Sequence, residues 1–221
     1  MHVLESYALQ NDLKIDKPLI FERFFPLAIK DYITIDTSAL GTGSLIYDHW
    51  QQVIDLINPI LEAKKISIIQ LGDRKDKPLT SCYMTLGQCN FNQKAYVINK
   101  SQLHVSTNND SMHLASHYGK KTVALFPNNC FPSQFFPYWS KEEDIEILSP
   151  ESDNKPSFNP SENPKSINQI RPEDIALKIL NFMGIFAFSP EYKTLRIGSG
   201  FYRPRIESTL THLLDPKKLS V

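Results

Sequence analysis

The sequence has 221 residues, enough to bury the core of one large domain, and it balances 24 Lys and Arg against 24 Asp and Glu. Zero formal net charge argues against duplex-DNA binding and against a polybasic membrane-surface protein, so any anion site must be local. The three cysteines are odd in number and form no CxxC pair, which argues against a disulfide framework and a zinc knuckle and favours a reducing, cytoplasmic setting.

Two parts of the sequence bear on membrane targeting, and neither predicts it. The N-terminal stretch MHVLESYALQNDLKIDK lacks a basic region followed by an apolar core, so we expect no signal peptide. The most apolar late run, Ile179 to Phe188, contains Asn181 and is shorter than the roughly 20 residues that a membrane helix requires. We therefore expect a soluble protein that does not span a membrane.

Short β-rich runs alternate with helical stretches from Tyr32 to Asn181, which predicts an α/β unit with a parallel sheet flanked by helices. Before this unit, LESYALQNDL has a helical pattern. The predicted strands are Tyr32–Asp36, Ile66–Leu71, Leu103–Ser106, Thr122–Phe126 and an edge strand at Ile145–Leu148, and the predicted helices cover 47–62, 92–98, 112–118 and 171–184.

We divide the chain into three segments. Residues 1–30 form an N-terminal helical segment, 31–184 a single Rossmann-like domain, and 185–221 a C-terminal extension. Within the domain, residues 149–168 are dense in Pro, Ser and Asn, and we expect them to form an exposed loop. The extension has strand-like pieces without an obvious partner, which predicts a docking arm for a homo-oligomer or another protein.

Polar and small residues follow three of the predicted strands. The carboxyl ends of parallel strands meet at one rim of an open α/β sheet, where ligands bind. A helix N-terminus in that rim offers N–H groups and partial positive charge to a phosphate or diphosphate, and glycine lets the backbone approach closely. The three loops contain Thr37, Ser38, Gly41, Thr42, Gly43 and Ser44, then Gly72, Asp73, Arg74 and Lys75, and finally Thr107, Asn108, Asn109, Asp110 and Ser111.

The third of these loops also has a simpler interpretation, because Asn, Asp and Ser are good helix caps and turn formers. We expect Asp110 to cap the helix, since its charge would repel a phosphate, and Ser111 with the neighbouring amides to contact the phosphate. His113 either donates to a ligand or packs at the surface. We name it as the candidate catalytic residue and identify no other.

Three other functional motifs are excluded because the sequence lacks residues that they require. His113 and His117 form HLASH, but the general-base Glu of HExxH and a third ligand at plausible spacing are missing, so we expect no metal site. The sequence has no GxxxxGK[ST] P-loop, and GTGS lacks the final glycine of a dinucleotide fingerprint.

The order of these features resembles the donor-binding half of glycosyltransferase family 9, the ADP-heptose:lipopolysaccharide heptosyltransferase-like enzymes. The matching stretches, in chain order, are QLGD, NDSMHLAS, KKTVALF, FPYWS and INQIRPEDIALKILNFMG, and the resemblance covers roughly residues 32–184. It implies the C-terminal half of a two-domain GT-B fold that binds a nucleotide-diphosphate sugar as co-substrate, without a separate cofactor.

The resemblance also implies a chemistry, namely metal-free transfer of a hexosyl or heptosyl group, with inversion, to a glycan or lipid-linked sugar acceptor. It places the acceptor site and a catalytic carboxylate in an N-terminal domain, of which residues 1–26 resemble only the end. The predicted donor- and phosphate-binding residues are Thr37, Ser38, Gly41, Gly43, Gly72, Arg74, Asn109, Asp110, Ser111 and His113.

One departure from the family pattern opens alternatives. Asp48 stands where the family has a lysine two residues before Trp50, so Arg74 or Lys75 would have to supply the lost cation. The lost lysine and the missing acceptor domain favour a second hypothesis, a catalytically inert binding or assembly module. A third hypothesis is an epimerase or hydrolase of nucleotide sugars on the same fold.

Overall fold

A computed structural model of the chain contains a six-stranded parallel sheet with helices on both faces, which confirms the predicted fold class. Its strands are β1 Tyr32–Asp36, β2 Ser67–Leu71, β3 Tyr83–Met84, β4 Leu103–Thr107, β5 Lys121–Leu125 and β6 Ile145–Leu148. Their order across the sheet is β3-β2-β1-β4-β5-β6. The structure describes residues 1–39, 43–150, 162–186, 188–190, 194–196 and 207–208.

Six α-helices are described beside this sheet: α1 Val3–Gln10, α2 Trp50–Ala63, α3 Phe91–Lys100, α4 Asp110–His117, α5 Pro132–Phe135 and α6 Pro172–Phe182. Helices α2 and α6 pack together on one face of the sheet, and α3 and α4 pack together on the other. Because both faces are covered, every residue of the central strands β1 and β4 is buried. No helix in the described part of the chain is long and apolar enough to cross a membrane.

Helix α2 contributes to the hydrophobic core on one face of the sheet because of the spacing of its apolar residues. Its apolar side chains recur at helical spacing and turn one stripe towards the sheet and α6. The buried side chains of that stripe are Trp50, Val53, Ile54, Ile57 and Leu61.

The N-terminal segment runs from α1 across the α3 and α4 face before entering β1. Helix α1 begins at His2, whose side chain accepts a hydrogen bond from the Leu4 N–H, while Glu5 accepts one from the His2 N–H. Four partly buried side chains of the segment pack against the core on this face: Ile20, Phe25, Leu27 and Ile29.

The predicted strands and helices agree with the structure to within a few residues at their ends, and β1 and β6 have the predicted bounds. The strand β3 was not predicted. It has only two residues, Tyr83 and Met84, both exposed, so it lacks the apolar alternation by which a strand is recognised in a sequence.

The loop predicted at 149–168 lies mostly outside the described residues, as does most of the extension 185–221. At the described end of the loop, Ser166 and Ile167 are buried, contrary to the expected exposure, because Ile167 packs into the core beside α2 and α6. In the extension, a short antiparallel pair joins β7 Leu195–Arg196 to β8 Glu207–Ser208. The division into three segments stays a prediction.

Candidate functional site

The sheet has a topological switch point between its two central strands. From β1 the chain continues to β2 on one side, whereas from β4 it continues to β5 on the other side. A crevice opens outside the carboxyl ends of strands at such a point, and ligands of open α/β sheets bind there. Asp36 and Ser106 are paired across this point, so the loops after β1 and β4 begin side by side.

A cavity of about 480 Å³ lies beside the switch point. Its walls come from the loops after β1 and β2, which were predicted to converge at this rim, and from the start of α2, which was not. The third predicted loop, residues 107–111 after β4, contributes no lining residue. The residues that line it are Thr37, Ala39, Gly43, Ile46, Tyr47, Asp48, Trp50, Gln51, Lys75, Asp76, Lys77 and Leu79.

Two of the predicted donor-binding residues, Thr37 and Gly43, therefore line the cavity. Gly41 lies outside the described residues. Arg74 is exposed and is not among the lining residues, whereas Lys75 is, so the loop after β2 brings Lys75 to the cavity instead.

Gly72 is buried at the entry to the turn of residues 73–76, and its role there is to let neighbouring side chains lie close to the backbone. Its φ is +152°, and a Cβ added there would lie 2.5 Å from a carboxylate oxygen of Asp76 and 2.9 Å from a methyl carbon of Leu86. Only glycine fits this turn without displacing its neighbours.

Asp48 lines the cavity with a carboxylate whose charge is already paired. The Lys165 ammonium lies 2.7 and 2.8 Å from its two oxygens, and the Asn168 amide also donates to it. Although burial opposes ionisation, these hydrogen bonds hold the pKa of Asp48 below its ordinary value. Lys165 thus brings a cation from the segment before α6 next to Asp48.

The start of α4 is capped by Asn109, contrary to the expectation that Asp110 would be the cap. The Asn109 side chain accepts from the Met112 N–H at 3.1 Å and donates to the Ser38 carbonyl at 3.1 Å. Asp110 is the first residue of the helix, and its carboxylate accepts from the Ser111 N–H at 3.0 Å. The helix N-terminus therefore already holds a protein carboxylate.

The hydroxyl groups of Ser38 and Ser111 face the protein interior. Both donate to the Asp36 carboxylate, and Ser111 has no exposed surface. Lys94 of α3 completes this buried cluster, with its ammonium 3.2 Å from the same carboxylate. Sequence reasoning missed Asp36 and Lys94, although a carboxylate that ends an apolar strand was a visible signal.

His113 is half-buried in the first turn of α4, close to His2 of the N-terminal segment. Burial lowers the pKa of His113, and the charge of His2 lowers it further. His2 in turn hydrogen-bonds the Phe136 carbonyl at 3.0 Å. His113 is not among the residues that line the cavity.

In the described part of the chain, no group of three or more His, Cys, Asp and Glu side chains is arranged to hold a metal ion. His117, the second histidine of HLASH, lies against the Tyr118 ring with a centroid separation of 4.8 Å.

Solved structures with a similar fold include glycosyltransferases. E. coli ADP-heptose LPS heptosyltransferase II matches with a TM-score of 0.52 and 17% identity over 81% of this chain and 50% of that chain. The family 9 glycosyltransferase of Veillonella parvula matches with a TM-score of 0.56 and 14% identity, over 71% of this chain and 47% of that chain. The E. coli heptosyltransferase WaaC with ADP matches with a TM-score of 0.51 and 9% identity, over 71% and 46%.

The chain has the fold of one half of these glycosyltransferases. The predicted resemblance to family 9 is thereby confirmed at the level of the fold. The chain spans about half the length of the proteins it matches. No protein-family model and no curated protein sequence matches it.

Proposed function

We propose that this chain is the donor-binding half of a glycosyltransferase and binds a nucleotide-diphosphate sugar beside the switch point. The observation that carries the proposal is the cavity of about 480 Å³ at the carboxyl ends of β1 and β2. Small-molecule sites are clefts of about 300–1,000 Å³ with mostly apolar walls and a few polar groups, and this cavity has that size and character. The shared fold with heptosyltransferases supports the donor class.

The charges around the cavity favour one placement of the diphosphate. Lys75, Asp76 and Lys77 all line the cavity, so this loop brings two ammonium groups and one carboxylate to it, and neither lysine forms an ion pair among the described residues. The α4 N-terminus, by contrast, already carries the Asp110 carboxylate on one of its amides, and a second anion there would be repelled. We therefore place the diphosphate beside the two lysines, with Tyr47 and Trp50 forming the apolar wall for the rest of the ligand.

The reaction that we propose is transfer with inversion and without a metal ion. The acceptor hydroxyl gives its proton to a base and attacks the anomeric carbon, the bond from that carbon to the diphosphate oxygen breaks, and the nucleoside diphosphate leaves with the bonding electrons. Lysine side chains fixed beside the departing diphosphate would stabilise its developing charge. We assign the acceptor site and the catalytic base to no described residue.

Isothermal titration of the whole chain with ADP, UDP, GDP and their sugar conjugates tests the donor proposal. We expect at least one of them to bind, and the double substitution Lys75→Ala and Lys77→Ala to weaken that binding at least about 10-fold. Lys141→Ala is the matched control, because Lys141 is 74% exposed and lies just before the amino end of β6, away from the carboxyl ends of the strands. Absence of binding by the wild type at millimolar ligand refutes the proposal.

A second candidate function is a catalytically inert module that binds nucleotide sugars or assembles with a partner. The observation that favours it is Asp48 on the cavity wall, because its ion pair with Lys165 leaves no net positive charge there for a phosphate. Release of nucleoside diphosphate from a nucleotide sugar, measured with and without candidate acceptors and with a chelator, separates the cases. Release that needs an acceptor and survives the chelator indicates metal-free transfer, release without an acceptor indicates hydrolysis, and binding without release indicates the inert module.

Assembly through the C-terminal extension is also a proposal, carried by the sequence alone. Light scattering on the full chain and on a chain ending at Arg196 tests it, and an unchanged mass counts against the extension as the assembly element.

A further inference from the structure

The Asp36 carboxylate accepts four hydrogen bonds from the described residues. Its Oδ1 accepts from the Ser38 N–H at 2.9 Å and from the Ser38 hydroxyl at 2.5 Å. Its Oδ2 accepts from the Ser111 hydroxyl and from the Lys94 ammonium, the latter at 3.2 Å. Both oxygens are therefore held by donors from different parts of the fold.

These donors lie on three separate elements. Ser38 is in the loop after β1, Lys94 is on α3, and Ser111 is in the first turn of α4. Asn109 adds a direct link, since its amide donates to the Ser38 carbonyl. The loop after β1 forms part of the cavity wall, so Asp36 connects this wall to the start of α4 across the switch point.

The cluster formed by Asp36 and its donors is closed to solvent, so its hydrogen bonds cannot be exchanged for bonds to water. Asp36 has no exposed surface, and Lys94 is 8% exposed. A buried carboxylate that loses a donor cannot replace it with water, so each bond restrains the elements it joins more strongly than a surface bond would.

We infer that Asp36 is a positioning residue, which holds the loop after β1 and the first turn of α4 in one arrangement, with Lys94 as its counter-ion. Its effect on ligand binding rests on the proposed function, whereas its effect on the two elements does not. If the hydrogen bond between Ser111 and Asp36 positions the loop after β1, then removing the Ser111 hydroxyl from α4 should loosen that loop.

Hydrogen exchange of backbone amides in the ¹⁵N-labelled chain, followed by NMR, measures this coupling without any ligand. In Ser111→Ala, the amide of Ser38, which donates to Asp36, should exchange about 10-fold to 100-fold faster than in the wild type, since one charge-assisted hydrogen bond to that carboxylate is lost. Ser116→Ala is the matched control. Ser116 is equally buried in α4, but its hydroxyl accepts from the Trp139 N–H instead.

The result of the exchange experiment decides the inference. Faster exchange in the loop in Ser111→Ala, with unchanged exchange in α2 and in the Ser116→Ala control, supports it. Exchange that rises only around residue 111, or equally throughout the chain, overturns it. Asp36→Asn keeps the shape of the side chain but loses acceptor capacity. It should accelerate amide exchange both in the loop after β1 and in the first turn of α4.

The ligand experiment is read separately. If the wild type binds ADP or another member of the panel, Ser111→Ala should weaken that binding about 10-fold while Ser116→Ala leaves it unchanged. Unchanged affinity in Ser111→Ala overturns the part of the inference that concerns the ligand. If the wild type binds no member, the proposed function fails, and the exchange pattern alone decides whether Asp36 positions the two elements.

Discussion

Lys94→Met should be one of the most destabilising single substitutions in this chain. Methionine keeps most of the apolar stem of Lys94 but removes the ammonium that faces Asp36 at 3.2 Å. The Asp36 carboxylate would then remain in a site without solvent exposure and without its counter-ion. Breaking a buried ion pair by removing one partner destabilises a protein by about 3–5 kcal/mol. For a chain of this size we expect the melting temperature to fall by roughly 6–20 °C.

The pH dependence follows from the direction of each pKa. Burial opposes the charge of Asp36, but Lys94 and the serine donors hold the pKa of Asp36 below its ordinary value. Its contribution is therefore present above the unfolded carboxyl pKa and is lost as pH falls through the folded value. Burial also opposes the charge of Lys94, but Asp36 raises the pKa of Lys94 overall. That contribution is present below the unfolded lysine pKa and is lost as pH rises through the folded value, so the effect of Lys94→Met should be largest between these limits.

Urea unfolding followed by circular dichroism measures the effect, with Lys178→Met as the matched control. Lys178 forms a surface ion pair with Glu146 at 2.9 Å, with about a third of each side chain exposed, and such pairs contribute under about 1 kcal/mol. The double variant Asp36→Asn and Lys94→Met should recover part of the loss, because no unpaired charge remains. A loss in Lys94→Met no greater than in Lys178→Met would refute the reasoning.

Three further substitutions test other parts of the structure. Burial lowers the pKa of His104 to about 4, so wild-type stability should fall as pH drops from the unfolded value near 6.5 towards 4. Between pH 7 and pH 4.5, the free energy of unfolding measured by urea titration should fall by about 2 kcal/mol more in the wild type than in His104→Gln. Equal losses would count against a neutral buried His104. Gly72→Ala should cost about 1–3 kcal/mol because of its positive φ and the added Cβ contact at 2.5 Å. Gly119→Ala is the control for the contact, since Gly119 also has a positive φ of +62° but a Cβ there meets nothing within 4 Å, and a thermal melt that ranks the two in the opposite order would contradict the role of Gly72. Tyr47→Phe removes the hydrogen bond to the Ile170 carbonyl at 2.8 Å and should lower the free energy of unfolding by about 1 kcal/mol, whereas no change would mean that this bond adds nothing.

The elements and fold class were predictable because their signals are local. The apolar runs at β1 and β6 are bounded by polar residues, and the stripe on α2 recurs at helical spacing, so each element can be recognised from its own residues. The alternation of strands and helices then predicts a parallel sheet, whose carboxyl ends must lie on one rim. Composition and motif order thus determined the architecture, the edge of the sheet that holds the cavity and the fold family.

Which polar groups meet at that rim was decided only by the tertiary structure. Asp36 and Lys94 are 58 residues apart in sequence, and Lys165 and Asp48 are 117 apart. No local pattern predicts such pairs, because they depend on strand order, on parallel register and on the face from which α3 and the segment before α6 approach. The same three-dimensional constraints turned Ser111 inward and made Asn109 the cap of α4. A buried carboxylate forms hydrogen bonds with the donors that the packing brings near it. Leaving it unpaired would cost more free energy than the local conformational preferences of the chain contribute.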